Sequence, residues 1–297
     1  MGAVSTAFVK QYSDMVQHLV QQQSTRLREA VTVDMDFRGE YKFYDQLGQT
    51  AAQVKTTRHE DTPVIDPDHA RRRVSSSTYV HAYLLDKEDE LNMIINPISD
   101  YAQNQAKAFG RSQDSVIYTA LRGTAYSGAE GGTSTTLASY STGAHVTTAT
   151  SGMTVDAILA TKLLLDLANN DDMDQRYWAI TSYELRDLLN TTEVKSSDYN
   201  TVKALANGGT DTFCGFKFIV LPPSDVTNGI ITRSSSINYT VAFTKSSLKF
   251  AVKRDMQIRI TERDDKMFAT QVYAAMDMGA VRMQEASVVE VGVTNAS

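Results

Sequence analysis

Residues Asn96 to Gly123, NPISDYAQNQAKAFGRSQDSVIYTALRG, form the stretch on which the reading of this fold turns. Asn96 is suited to cap a helix, Pro97 fits the first helical position where its missing N–H costs nothing, and Gly123 supplies a stop. Ile98, Ala102, Ala106, Phe109, Val116 or Ile117, and Ala120 or Leu121 recur at three- and four-residue steps, which predicts one helix with a single apolar stripe. At about 1.5 Å per residue it would run roughly 40 Å, long enough to cross a sheet. Its other face is built from Gln, Asn, Lys, Arg, Ser and Asp, as expected for solvent. Gly110 interrupts the pattern and marks a bend or a close contact.

Upstream, Phe8, Tyr12, Met15 or Val16, Leu19 and Val20 sit at helical spacing, so residues 1–30 read as an amphipathic arm. The period then changes to two. Val31, Val33, Met35 and Phe37 alternate with polar residues, and Tyr41 and Phe43 continue the pattern after Gly39. A second extended run, Val74 to Leu84, is rich in Ser, Thr, Val and Tyr. Between the runs lies a polar stretch with Pro63 and Pro67, which excludes a central strand. The simplest picture is one long two-stranded ribbon, and such a ribbon is marginal in water without a partner.

Downstream of the helix, Ser, Thr and Gly fill 16 of the 27 residues from Thr124 to Thr150, so this segment reads as a loop with short strands near 137–140 and 145–148. Thr154 opens a helix through Ala168 with Val155, Ile158, Leu159, Leu163 and Leu167 expected inward. Arg176–Thr181 reads as a strand, Ser182–Leu189 as a capped helix, and Phe213–Leu221 as a strand halted by Pro222-Pro223. The remainder is β-rich, with Tyr239–Phe243, Leu248–Val252, Met256 to Ile260, Phe268–Met276 and Ala280–Val293, and a charged turn at Arg263–Lys266.

The 297 residues and net charge of −6 describe a chain able to bury a large core and, taken whole, ill suited to nucleic-acid binding. One cysteine, Cys214, excludes an intrachain disulfide; between Phe213 and Gly215 it reads as a buried structural thiol. No run of about 18 apolar residues spans a membrane. His59-Glu60-Asp61 and Asp66-Pro67-Asp68-His69 bring histidine near carboxylates, but in the polar tip of the ribbon they read as solvated. Asn170–Asp174 lacks the later Gly and Glu of a calcium loop. There is no phosphate-cradling glycine loop, GxSxG or HExxH, hence no catalytic, cofactor-binding or metal-ligating constellation. Arg71-Arg72-Arg73 is expected to pair with acidic residues across an interface.

In its order of parts the chain resembles the major capsid proteins of tailed bacteriophages, which have the Hong Kong 97-like fold. The likeness rests on the acidic lead-in Asp86–Asp89, the helix ending Arg111-Ser112-Gln113-Asp114 to Ala120-Leu121-Arg122-Gly123, the Arg176–Thr181 strand followed by Ser182–Leu189, and Val288-Val289-Glu290-Val291. It implies an α+β fold with an N-terminal arm at 1–30 and an extended loop at 31–85. A peripheral domain would follow, its first part 86–144 holding the spine helix 96–123, then an axial domain at 145–244 and returning peripheral strands at 245–297. It implies a structural protein rather than an enzyme, assembling with itself as hexamers and pentamers into the icosahedral head shell around double-stranded DNA.

The location implied is the virion capsid, assembled in the host bacterial cytoplasm, with the DNA contacted only non-specifically and no membrane. Further partners implied are a separate scaffolding protein, a portal and decoration proteins, since the short arm shows no fused scaffolding segment of the usual size. The crosslink of one branch of the family does not transfer, because no motif places a Lys, an Asn and a Glu together. Subunit-interface residues expected from the arm are Phe8, Tyr12 and Leu19; from the ribbon they are Lys55, Arg58, Glu60, Asp61, Arg71, Arg72 and Arg73. The rival readings are an encapsulin-type nanocompartment shell and a soluble enzyme with a dimerisation arm.

Overall fold

The long helix lies where the sequence puts it. In the computed structural model α1 spans Ile98–Arg122; the structure describes residues 22, 24–58, 61, 64–86, 98–137, 146–149, 152–168, 174–190, 212–226 and 228–294. The expected Asn96-Pro97 cap, the arm up to residue 21, and residues 170–173 of the Asn170–Asp174 turn lie outside these. Helix α1 crosses a four-stranded sheet of order β1-β13-β14-β4, made of β1 (Thr32–Asp34), β13 (Leu248–Arg263), β14 (Ala269–Arg282) and β4 (Ser77–Leu85). Phe109, Ile117 and Leu121 are buried against it as expected.

The helix also buries residues that its polar face assigned to water. Gln105 donates from Nε2 to the Val272 carbonyl at 2.8 Å, and Gln113 reaches the Met276 sulfur at 3.4 Å. Asp114, fully buried, accepts from the backbone N–H groups of Arg26 and Leu27 at 3.0–3.1 Å and from the Gln22 side chain. These bonds strap Gln22 and residues 24–27 across α1. Gly110 is the close contact anticipated: a Cβ there would meet the Thr25 nitrogen at 3.4 Å. Burial pushes the Asp114 carboxyl above its ordinary value, against the opposing pull of those hydrogen bonds.

The ribbon is shorter and better supported than the alternating pattern suggests. Only β2 (Tyr41–Leu47) and β3 (His69–Ser75) pair as its two strands, from Tyr41↔Ser75 to Leu47↔His69. The Val74–Leu84 run breaks near Ser76, and its larger part, β4, pairs with β14 in the body. Two strands from the Ser/Thr/Gly segment, β5 (Ala125–Ser127) and β6 (Thr133–Thr135), complete a sheet of order β2-β3-β5-β6. At the root of the ribbon β3 passes over β14 so closely that a Cβ on Gly279 would lie 2.1 Å from the Ser75 oxygen. The corner between β1 and β2 is held by Asp34, which accepts from the Lys42 ammonium and the Tyr44 hydroxyl.

A third sheet has the order β7-β15-β12-β8-β10-β9, with β11 (Arg233–Ser234) beside β12. Its strands are β7 (Val146–Ala149), β8 (Arg176–Ile180), β9 (Thr212–Phe213), β10 (Phe216–Val220), β12 (Ile237–Thr244) and β15 (Val288–Thr294). From the segment 245–297, β13 and β14 lie in the sheet under α1, whereas β15 pairs antiparallel with β12. Trp178 is fully buried in β8 and donates to Thr240 Oγ1 at 3.1 Å, as a core residue should. Helix α2 (Val155–Leu167) starts at Thr154, whose side chain accepts from the Ala157 N–H, and α3 (Ser182–Asn190) is boxed by Thr181 and Glu184. Cys214 is not in a strand. It sits half-buried at φ 50° in the turn joining β9 and β10.

The three sheets meet where α1 ends. Arg282, fully buried, donates to the Leu121 and Gly123 carbonyls at 2.7 and 2.8 Å and to Thr135 at 3.3 Å, so a cation satisfies the last carbonyls of the helix. Glu285 stands between Arg282, at 3.6 Å, and Arg72 of β3, at 2.6 Å. Burial pushes the Arg282 guanidinium below its ordinary value, opposed by the neighbouring Glu285. Nearby, Arg122 forms a two-pronged pair with Glu290 of β15 at 2.8 and 3.1 Å while stacking on Tyr239.

Three outcomes follow from these contacts. Arg282→Ala strips Glu285 of one of its two cations and α1 of its cap, and should destabilise the subunit by about 3–5 kcal/mol in urea unfolding. Asp114→Ala leaves the Arg26 and Leu27 N–H groups unpaired at a cost of about 1–3 kcal/mol, and should open the strap to trypsin after Arg26 and Arg28 under native conditions. For Asp34, burial alone would raise the carboxyl, but hydrogen bonds from Lys42, Tyr44 and the Asp36 backbone outweigh it and hold the group at about 2. Its contribution is therefore present above the unfolded value near about 4 and is lost as pH falls toward 2, so Asp34→Asn should flatten that part of the acid unfolding curve.

Candidate assembly surfaces

Strand geometry sorts the arginine triplet. Alternate residues of β3 point to opposite faces, so Arg72 turns into the subunit while Arg71 and Arg73 turn outward. Arg72 is buried against Glu285 and the Met283 carbonyl, which corrects its expected place at a subunit boundary. Arg71 pairs with Asp45 at 2.6 Å and lies over the Phe43 ring at 5.5 Å. Hydrogen bonding to Asp45 raises the Arg71 guanidinium further. Arg73 is clamped between the rings of Tyr41 and Tyr126, with centroids at 4.8 and 5.0 Å.

The outer face of this sheet thus interleaves cations with exposed rings of Tyr41, Phe43 and Tyr126. Tyr41 and Phe43, read in the sequence as strand residues, share the parity that sets this face. Tyr126 comes from the segment read as loop. Beyond β2 and β3 the chain leaves the sheet at Gly48, whose N–H donates to the Asp68 carbonyl at 2.7 Å. Among the described residues of 49–67 there is no strand, and Lys55, Arg58 and Asp61 are exposed there, together with Val54 and Val64. Phe8, Tyr12, Leu19 and Glu60 lie outside the described residues.

A second surface lies on α2, where the expected inward face is corrected. Ile158, Thr161 and Leu165 are buried, whereas Leu159, Leu163 and Leu167 are 50, 58 and 74 % exposed. Apolar residues occupy both sides of the helix, but Asp156, Lys162 and Asp166 share the side of the three leucines, and Ile158 and Leu165 pack with Trp178, Phe216 and Val291 in one core on the other. Three leucines at steps of four form a continuous apolar ridge.

The described residues of these surfaces present an apolar ridge, stacked guanidinium groups and a loop with exposed apolar side chains, the features of adhesive contact. A family model described as phage capsid protein matches residues 4–295. Among solved structures the chain is similar to the capsid of cyanophage P-SCSP1u, with 18% identity, TM-score 0.70, and coverage of 98% of this chain and 94% of that one. It is also similar to Mycobacterium phage Che8, at 16% identity, TM-score 0.69 and 98% of each chain. The cyanophage Pam1 capsid matches at 14% identity, TM-score 0.71, and 100% and 99% of the two chains. No curated protein matches the sequence. The fold is the Hong Kong 97-like one, and the chain belongs to the phage capsid protein family, whose members build the head shell.

Proposed function

We propose that this chain is the repeating subunit of an icosahedral head, associating with its own copies as hexamers and pentamers and enclosing double-stranded DNA that it touches only non-specifically. Assembly takes place in the host bacterial cytoplasm around a separate scaffolding protein, with a portal at one vertex and decoration proteins as further partners. The body around α1 acts as the peripheral domain and the seven-stranded sheet as the axial domain.

The observation that carries this reading is the loop beyond β2 and β3. It leaves the body with no strand pairing among its described residues, and it exposes Val54 and Val64 at 86 and 87 %. A subunit that worked alone would gain nothing from such an overhang, whose apolar residues are covered once it lies on a neighbour. Lys55, Arg58, Glu60, Asp61, Arg71 and Arg73 are assigned to that contact, and Phe8, Tyr12 and Leu19 to a contact made by the arm. Exposed ion pairs contribute only about 0–1 kcal/mol each, yet the contact repeats at every subunit.

Replacing Gly48–Asp68 by an Asn-Gly turn keeps the pairing of β2 with β3 and tests the assignment. The variant should unfold like the wild-type subunit but give fewer and more fragile shells in electron micrographs and heating series. Normal yield and heat resistance would remove the loop from assembly. Wild-type particles filled with an enzyme cargo would replace the phage reading by a nanocompartment one.

A further inference from the structure

Met256 packs at the edge of the main core, and the same face of β13 continues beyond it as Ile258 and Ile260. Met276 of β14 faces α1 through its contact with Gln113, so Ala274 and Val272, two and four residues away, face the helix as well and are fully buried. Ile258 and Ile260 are their partners across the ladder and share that face, yet they are 38 and 53 % exposed. The helix leans away from them. Tyr101 stacks on Tyr83 of β4 with ring centroids 5.0 Å apart, and the Asn104 side chain donates to the Tyr83 hydroxyl at 3.0 Å. A trough floored by two isoleucines is thereby left open on the β13 side of the first half of α1.

The strap leads into this trough. Arg28 lies 4.0 Å from Asp255 on β13, Asp114 holds the Leu27 N–H, and Ser24 and Thr25 pass Gly110, one helical turn nearer the start of α1. Traced backward from Leu27, the chain therefore runs along the β13 side of α1 toward Ile98. Gln105, bonded to the Val272 carbonyl, is level with Ile260 and stands five residues before Gly110, about 7.5 Å along the helix. Val20 is two residues before Gln22, a reach of about 7 Å in extended chain. The segment that precedes the strap, residues 1–21, carries an amphipathic pattern and would extend about 31 Å as a helix.

Spacing selects the residues that meet. On a helical arm Val16 and Val20 would lie about 6 Å apart along the axis, and Ile258 and Ile260 are about 6.6 Å apart along their strand, so two valines match two isoleucines in one register. At about 100° per residue, Val16 and Val20 form one flank of the apolar face, while Phe8, Tyr12 and Leu19 form the other. An arm seated by its valine flank keeps those three residues for a neighbouring copy.

We propose that the arm docks as a helix in this trough of its own subunit, with Val20 against Ile258 and Val16 against Ile260. The contact lies within one subunit and needs no shell to form, so it stands or falls apart from the shell reading. The test combines Val20→Cys with Ile258→Cys in a Cys214→Ser background and oxidises the dilute, unassembled subunit mildly. A disulfide-linked monomer is expected, seen as faster migration on a non-reducing gel and as one linked pair of peptides by mass spectrometry, with none from either cysteine alone. In parallel, amide hydrogen exchange of residues 13–21 in the wild-type subunit should be at least about tenfold slower than in the variant carrying Ile258→Asp and Ile260→Asp, with the exchange of β14 unchanged between the two.

Linked dimers in place of linked monomers would put the arm on a second copy and overturn the proposal. Free exchange of residues 13–21 in the wild-type subunit would overturn it as well, as would equal protection of those residues in the double aspartate variant.

Discussion

The arrangement depends first on a buried charge cluster. Arg72, Glu285 and Arg282 come from the ribbon and from the far end of β14, and they meet under the last turn of α1. Removing three charges from water costs several kcal/mol per ion, so the cluster is a poor source of net stability; an apolar replacement of similar volume is often neutral or better. What it does impose is geometry. A carboxylate between two arginines, one of which also holds the Leu121 and Gly123 carbonyls, ties β3 to the end of β14 and to the end of α1. The close pass at Gly279, where any side chain would strike the Ser75 carbonyl, acts in the same sense by sterics.

From this hub the remaining order can be followed outward. Arg122 links the end of α1 to Glu290 in the seven-stranded sheet, and the Tyr118 hydroxyl donates to the Tyr239 carbonyl at 2.6 Å while accepting from the Thr232 N–H. One apolar core runs continuously from Leu27 through Phe109 and Leu121 to Val241 and Phe250, so the two larger sheets share their packing through the helix. The ribbon sheet has a small core of its own, with Phe37, Val74, Val281 and Met283. It is fixed to the body through Arg72 and Gln46, both of which donate to the Met283 carbonyl, and has no strand among its described residues beyond Leu47 and before Asp68.

Legibility in the sequence followed the range of the interactions. Helix α1 and the Thr154 start of α2 were readable because caps and stripes are local, involving residues three or four apart. Gln105, Gln113 and Asp114 were not, because their partners are a carbonyl, a sulfur and two amides lying from 87 to 167 residues away in the chain. Strand character was legible in the runs around 31–43 and 74–84, yet pairing was not, because only long-range packing decides that β4 joins β14 while β3 stays in the ribbon. On the candidate surfaces, the triplet Arg71–Arg73 was correctly singled out as charged but wrongly taken as a unit, since the two-residue period of a strand sends its middle member inward. The leucines of α2 were misplaced for a different reason, because apolar residues stand on both sides of that helix and only Asp156, Lys162 and Asp166 mark the side left open.

The same contrast separates the parts that hold the subunit from those that join subunits. Buried charged groups concentrate near the end of α1, whereas several of the most exposed apolar residues lie in the loop beyond Leu47, on the ridge of α2 and in the β13–β14 turn. Binding energy placed at extremities has long lever arms, so a small change of angle at the root would displace each contact by several ångströms. A rigid hub is then a requirement for assembly as much as for folding, because contacts that are weak one by one add up only if every copy presents them in the same geometry. A buried ion cluster, which constrains direction more than it stabilises, suits that requirement better than an equally stable but featureless apolar contact would.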